Sequence, residues 1–126
     1  MKPHDILNRW TKAIEERDLE RVLALYDQQA VLIPTFSDVI LATPAKISDY
    51  FARVMRREGL QIALHAKTLR EQTLSADLAI LSGIYTWKFL VEDELITYEA
   101  RFSFILNLEA AAPIMHHHSS QIPRMV

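Results

Sequence analysis

"LITYEARFSFILNL", Leu95 to Leu108, is the stretch on which the fold turns. Read with a period of two, Ile96, Tyr98, Ala100, Phe102, Phe104 and Leu106 fall on one side of an extended chain, and Thr97, Glu99, Arg101, Ser103 and Asn107 on the other. A run of that length and period is a long strand with two unlike faces. Two earlier runs, "LQIALHAKTLREQTLS" from Leu60 and "DLAILSGIYTWKFLVED" from Asp77, are also rich in β-branched and aromatic residues and end in polar breaks. They predict companion strands, and a last strand carries "MHHHSSQIP", Met115 to Pro123. That histidine run follows apolar Pro113 and Ile114 and reads as part of the fold rather than as an added tag.

Towards the N-terminus the period changes to helical. Ile6, Leu7, Trp10, Ala13 and Ile14 share one face behind Pro3, and Asp18 is placed to cap a second helix that shows Leu19, Val22, Leu23 and Tyr26 and ends near "DQQA". "AVLIPT", Ala30 to Thr35, is a short strand closed by Pro34. Thr43 and Pro44 start a third helix through Ile47, Tyr50, Phe51 and Val54 to about Arg57, with Gly59 just past its end. Helices first and long antiparallel strands after them predict an α+β fold, a cone in which a curved sheet wraps the helices and leaves a pocket between them. Arg101 and its polar neighbours are expected to line that pocket. Tyr98, Phe102 and Phe104 are expected on the outer face, where they offer a homodimer surface.

Composition narrows the functional classes. The chain of 126 residues is 50% hydrophobic and 24% charged, which fits a single domain spanning residues 1–126 with a substantial core. A formal charge of -2 and the lack of basic runs interleaved with aromatics argue against nucleic acid. Without cysteine there is no thiolate nucleophile and no disulfide framework, and no stretch reads as a secretory signal or a membrane span. A mature, soluble, cytoplasmic protein with no membrane partner is the expectation.

Taken together, "AVLIPTFS", "TPAKISDYF", "SGIYTW", "ARFSFIL" and "HHHSSQIP" occur in an order and spacing that resembles the cone-shaped, SnoaL-like family containing the association domain of calcium/calmodulin-dependent protein kinase. The resemblance runs from about Trp10 to Pro123. Pro-Thr, Tyr-Phe and the terminal histidine run look most like the domain of the iota-class carbonic anhydrases. It implies a cystatin-like cone, like that of nuclear transport factors. The function it implies is a small-molecule pocket with iota-type hydration of carbon dioxide, or a non-catalytic association or ligand-binding module.

Most carbonic anhydrases activate water with zinc, which lowers the pKa of the bound water from about 15.7 to about 7. Neighbouring residues of a strand point to opposite faces, so of His116, His117 and His118 at most His116 and His118 can reach one ion; a metal is possible but not implied, and no other cofactor is expected. The resemblance offers a metal-free route, with hydroxyls and an imidazole around a small apolar pocket. It assigns His117 and Ser119 to the pocket, because the position matching Ser119 holds an inward-facing arginine in the kinase association domain, and it adds Thr35 and Tyr50 as catalytic hydroxyls. Arg101 and Tyr85 are the candidates for binding a small molecule or small anion. On this parity, replacing His117 or Ser119 removes activity at little cost in stability, and replacing His116 or His118 does the reverse. The same residues have plain structural readings: a hydrogen-bonded strand end for the triplet, core packing for Tyr50, Tyr85 and Trp87, a strand end for Thr35, and a solvated charge for Arg101.

Overall fold

A computed structural model describes residues 1–123. Three helices lead: α1 (Pro3–Glu15), α2 (Leu19–Ala24) and α3 (Pro44–Met55), with strand β1 (Tyr26–Ile33) between the second and third. The caps are local chemistry. Asp18 accepts the backbone N–H of Arg21 at 3.1 Å, Thr43 accepts that of Lys46 at 3.3 Å, and Pro3 and Pro44 occupy first turns where their missing N–H costs nothing. Gly59, with φ of 74°, lies in the turn that leads from α3 into the next strand, a left-handed position that glycine takes without strain.

The strands that follow are β2 (Gln61–Leu64), β3 (Arg70–Thr73), β4 (Leu78–Val91), β5 (Glu94–Asn107) and β6 (Ile114–Gln121). They form one sheet in the order β1-β6-β5-β4-β2, with β3 also on β4. All pairings are antiparallel except β1 with β6, so the sheet is mixed. β1 begins at Tyr26, four residues before the predicted start, because the backbone there is taken up by β6: Ile114 N–H donates to the Leu25 carbonyl at 2.8 Å. The run from Leu60 is two strands rather than one. Between them a single 3₁₀ turn, Ala66–Thr68, is held by the Thr68 hydroxyl, which donates to the His65 carbonyl and accepts the Ile84 N–H.

The helices cover one face of the sheet. Trp10 of α1, fully buried, stacks on Tyr85 at 5.4 Å and meets Trp87 and Phe104 edge-on. The alternation of β5 is therefore present with its sides exchanged. Phe102 and Phe104 are buried beneath the helices, and Tyr98 is half-buried on the same side, so none of them forms an outer dimer surface. Arg101 is exposed on the outer face, paired in register with Ile84 and Ser120. Burying Ala100, Phe102, Phe104 and Leu106, and half-burying Ile96 and Tyr98, outweighs any polar lining that the opposite face could supply. Among the described residues no helix is long and apolar enough to cross a membrane.

Candidate functional site

The inward face of β6 places His117 opposite Phe104, and the two rings stack at 3.9 Å. Both ring nitrogens are bonded: Nδ1 lies 2.8 Å from the Tyr26 hydroxyl and Nε2 lies 3.1 Å from that of Tyr85. The direction of these bonds follows from Trp10, whose Nε1–H reaches the Tyr26 oxygen at 3.0 Å. An indole N–H only donates, so Tyr26 accepts there and has its own proton to give to His117 Nδ1. His117 then carries its proton on Nε2 and donates it to Tyr85. Burial, reinforced by His116 and His118, holds the His117 pKa down at about 3, so the ring is neutral at ordinary pH. Its one acceptor electron pair, on Nδ1, is taken up by the Tyr26 hydroxyl.

Tyr85 hands the chain on. Its hydroxyl stands beside Ser119 and Thr35, although burial outweighs them and raises its pKa. Thr35 and Ser119 hydroxyls are hydrogen-bonded to each other across the ends of β1 and β6. Tyr50 of α3 accepts the Phe36 N–H at 3.2 Å, burial pushes its pKa up to about 12, and its own proton is left for Thr35 or for a ligand. Gly83 makes room for this arrangement: a Cβ there would lie 3.0 Å from the ring of Phe102, which stacks on Tyr85 at 4.5 Å.

These hydroxyls surround a cavity of about 10 Å³, at the lower limit for one ordered water. Trp87 lines it too, and its buried Nε1–H stands near the Tyr85 hydroxyl but outside hydrogen-bond geometry, a position held by no other buried side-chain donor or acceptor among the described residues. Leaving such a group unpaired costs about 1–3 kcal/mol, so an acceptor oxygen at this point is strongly favoured. No carboxylate, lysine or arginine lines the cavity.

Of the residues singled out in the sequence, Thr35, Tyr50, Tyr85, His117 and Ser119 meet at this one place. Arg101 does not: it is on the opposite side of the sheet, and the binding role expected of it in the pocket is excluded by its orientation. The expectation that His117 can be removed at little cost does not fit its setting, since its loss would take one hydrogen-bond partner from each of two buried tyrosine hydroxyls and the ring stacked on Phe104. Trp10, Tyr26 and Trp87 were not legible as site residues. Tyr26 reads as the end of a helical face, and an unpaired N–H has no signature in sequence. His116 and His118 stay outside, with His118 Nε2 bonded to the Ser120 hydroxyl at 2.8 Å, and among the described residues no three histidine or acidic side chains are grouped as metal ligands.

Helices packed in a curved mixed sheet, with a polar cavity at their junction, define a cystatin-like cone, the fold also seen in nuclear transport factor 2-like proteins. Within it, the chain belongs to the SnoaL-like domain family, whose model matches residues 4–125. A solved chain from Xanthomonas campestris, assigned as a calcium/calmodulin-dependent protein kinase II association domain, superposes with a TM-score of 0.85 at 23% identity, covering 97% of this chain and 86% of that one. A nuclear transport factor 2-like protein from Salmonella enterica gives 0.81 at 14% identity, with 97% and 89% covered. A ketosteroid isomerase-like protein from Erwinia carotovora gives 0.78 at 16%, with 96% and 94% covered. No curated protein is significantly similar in sequence. Likeness at these identities concerns the fold.

Proposed function

We propose that the cone binds a small, uncharged, oxygen-bearing molecule against its hydroxyl floor, and that the reaction it carries out is metal-free hydration of carbon dioxide. The observation that carries this reading is the unpaired Trp87 N–H facing a ring of hydroxyls with no charged side chain in the lining. A neutral lining suits a neutral substrate. The bonded Thr35 and Ser119 hydroxyls orient a water, and charge that builds on a carbon dioxide oxygen during attack is met by Trp87 Nε1–H and the Tyr50 hydroxyl. Bicarbonate forms and one proton leaves, relayed from buried Ser119 to half-buried Thr35 and so to solvent. His117, neutral and with its electron pair turned to Tyr26, is the orienter of Tyr85 in this scheme and not the base. Carbon dioxide is longer than the cavity, so Phe36 or Tyr50 must give way to admit it from the open cleft on their far side.

Stopped-flow hydration on metal-stripped protein tests the reading. Activity that survives chelation and falls by about 10²-fold in Trp87→Phe is expected, the usual loss for one donor to a developing oxyanion. No hydration by the wild type, with or without added zinc or manganese, would remove it.

The alternative, an association module, draws on a different feature: half-buried Ile80 and Ile105, directly paired, and half-buried Ile84 are apolar spots on the outer face of the sheet on either side of the bonded Ser82 and Ser103 hydroxyls. We place a homodimer surface there. Sedimentation should show a dimer at micromolar concentration that Ile84→Lys dissociates; a wild-type monomer ends that proposal.

A further inference from the structure

Beyond Phe36 and Tyr50, outside the hydroxyl cavity, an open cleft of about 380 Å³ lies between α3 and the ends of β4 and β5 that carry Phe89 and Tyr98. Its volume is that of a site for a small organic molecule. The walls are aromatic: Phe89 stacks on Tyr98 at 5.0 Å, and Phe36 meets both edge-on, at 5.2 and 5.3 Å. Into this cleft α3 and the residues just past it bring Arg53 and Arg57. The Arg57 guanidinium lies 5.1 Å from the centre of the Phe89 ring. Among the described residues neither arginine has a carboxylate at ion-pair distance, whereas Arg21 has both Glu16 and Asp18. No acidic side chain lines the cleft, and Glu92, Asp93 and Glu94, in the hairpin beyond Val91, make no ion pair with either arginine.

We propose that this cleft is a binding site for a small carboxylate with a flat apolar body, an aromatic carboxylic acid being the simplest. The carboxylate sits between Arg53 and Arg57, whose planar N–H forks match its two oxygens, and the body lies against Phe36, Phe89 and Tyr98. An inorganic anion would satisfy the arginines and leave the aromatic walls in water. A neutral aromatic would do the opposite. Only a ligand with both parts uses the whole cleft. The site lies outside the hydroxyl cavity, on the side from which carbon dioxide enters under the proposed function, and shares Tyr50 with the cavity lining.

Benzoate, titrated into the full chain at fixed ionic strength and followed by calorimetry or by aromatic chemical shifts, is the probe, with benzamide and inorganic phosphate run in parallel. Benzoate should bind saturably, at least about tenfold more tightly than either, and Arg53→Gln or Arg57→Gln should each weaken it by about tenfold. Both arginines are exposed, so the variants should keep the wild-type thermal midpoint. Ser119→Ala should leave benzoate binding unchanged. Benzoate binding no better than benzamide or phosphate, binding indifferent to both arginine substitutions, or binding lost in Ser119→Ala would each overturn the proposal. The first two would show no carboxylate site in the cleft, and the third would put the ligand in the hydroxyl cavity instead. None of these outcomes bears on carbon dioxide hydration, which is assayed without benzoate.

Discussion

The two faces of β6 hold the same kinds of residue in opposite conditions. Inside, His117 is bonded at both nitrogens, stacked on Phe104 and held neutral, and Ser119 is bonded to Thr35 beside a cavity with no charged side chain in its lining. Outside, His118 and Ser120 bond to each other in contact with water, beside exposed Arg101. One residue of displacement along a strand separates them. The lesson is that "HHHSS" is not one motif but two interleaved ones, and only the inner set is supported by a second layer of buried partners.

The comparison breaks most readily at the hydroxyls. Ser119→Ala and Thr35→Val should each lower carbon dioxide hydration by about 10²-fold or more, whereas Ser120→Ala should leave it within about twofold. Equal losses on both faces in stopped-flow traces would mean that the inner pair has no special part. A smaller effect, in free energy of unfolding, separates the histidines. His117→Ala removes the acceptor for the Tyr26 proton and one partner of the Tyr85 hydroxyl and empties a packed site, so urea denaturation should show a loss of about 2–4 kcal/mol, against less than about 0.5 kcal/mol for His118→Ala. Comparable losses for the two would contradict the burial that the structure gives His117.

How far the sequence carries this contrast is instructive. Period two in Ile96 to Leu106 reveals a strand with unlike faces, and the Thr43-Pro44 start fixes α3 to within a residue or two. The same period does not say which face the helices cover. Arg101 among polar neighbours reads as a pocket wall, yet Phe102 and Phe104 are the larger apolar load and take the interior, while isoleucines on β4 and β5 make the outer face less polar than the sequence of β5 alone suggests. The convergence of Thr35, Tyr50, His117 and Ser119 was legible through resemblance and strand parity. The buried chain that orients His117 was not, because Trp10 and Tyr26 are 107 and 91 residues away from it and read as ordinary apolar positions.

The smallest expected effect sharpens the contrast through pH. Burial holds the folded-state pKa of His117 at about 3, while an unfolded chain leaves it near about 6.5. Between those values the unfolded chain binds a proton that the folded chain does not. Stability is therefore whole above about pH 6.5 and falls as pH drops through the window towards about 3, at no more than about 1.4 kcal/mol per pH unit from this group. Carboxylates join in the lower part of the window, so the upper part is the diagnostic range. Going from pH 6.5 to pH 5, the wild type should lose about 1.5 kcal/mol more than His117→Gln, a variant that keeps a polar side chain between the tyrosines without a titrating ring. Denaturation series at several pH values decide it: if His117→Gln and the wild type lose stability in parallel, His117 is not held neutral in the folded chain, and the orientation of its proton towards Tyr85 loses its support.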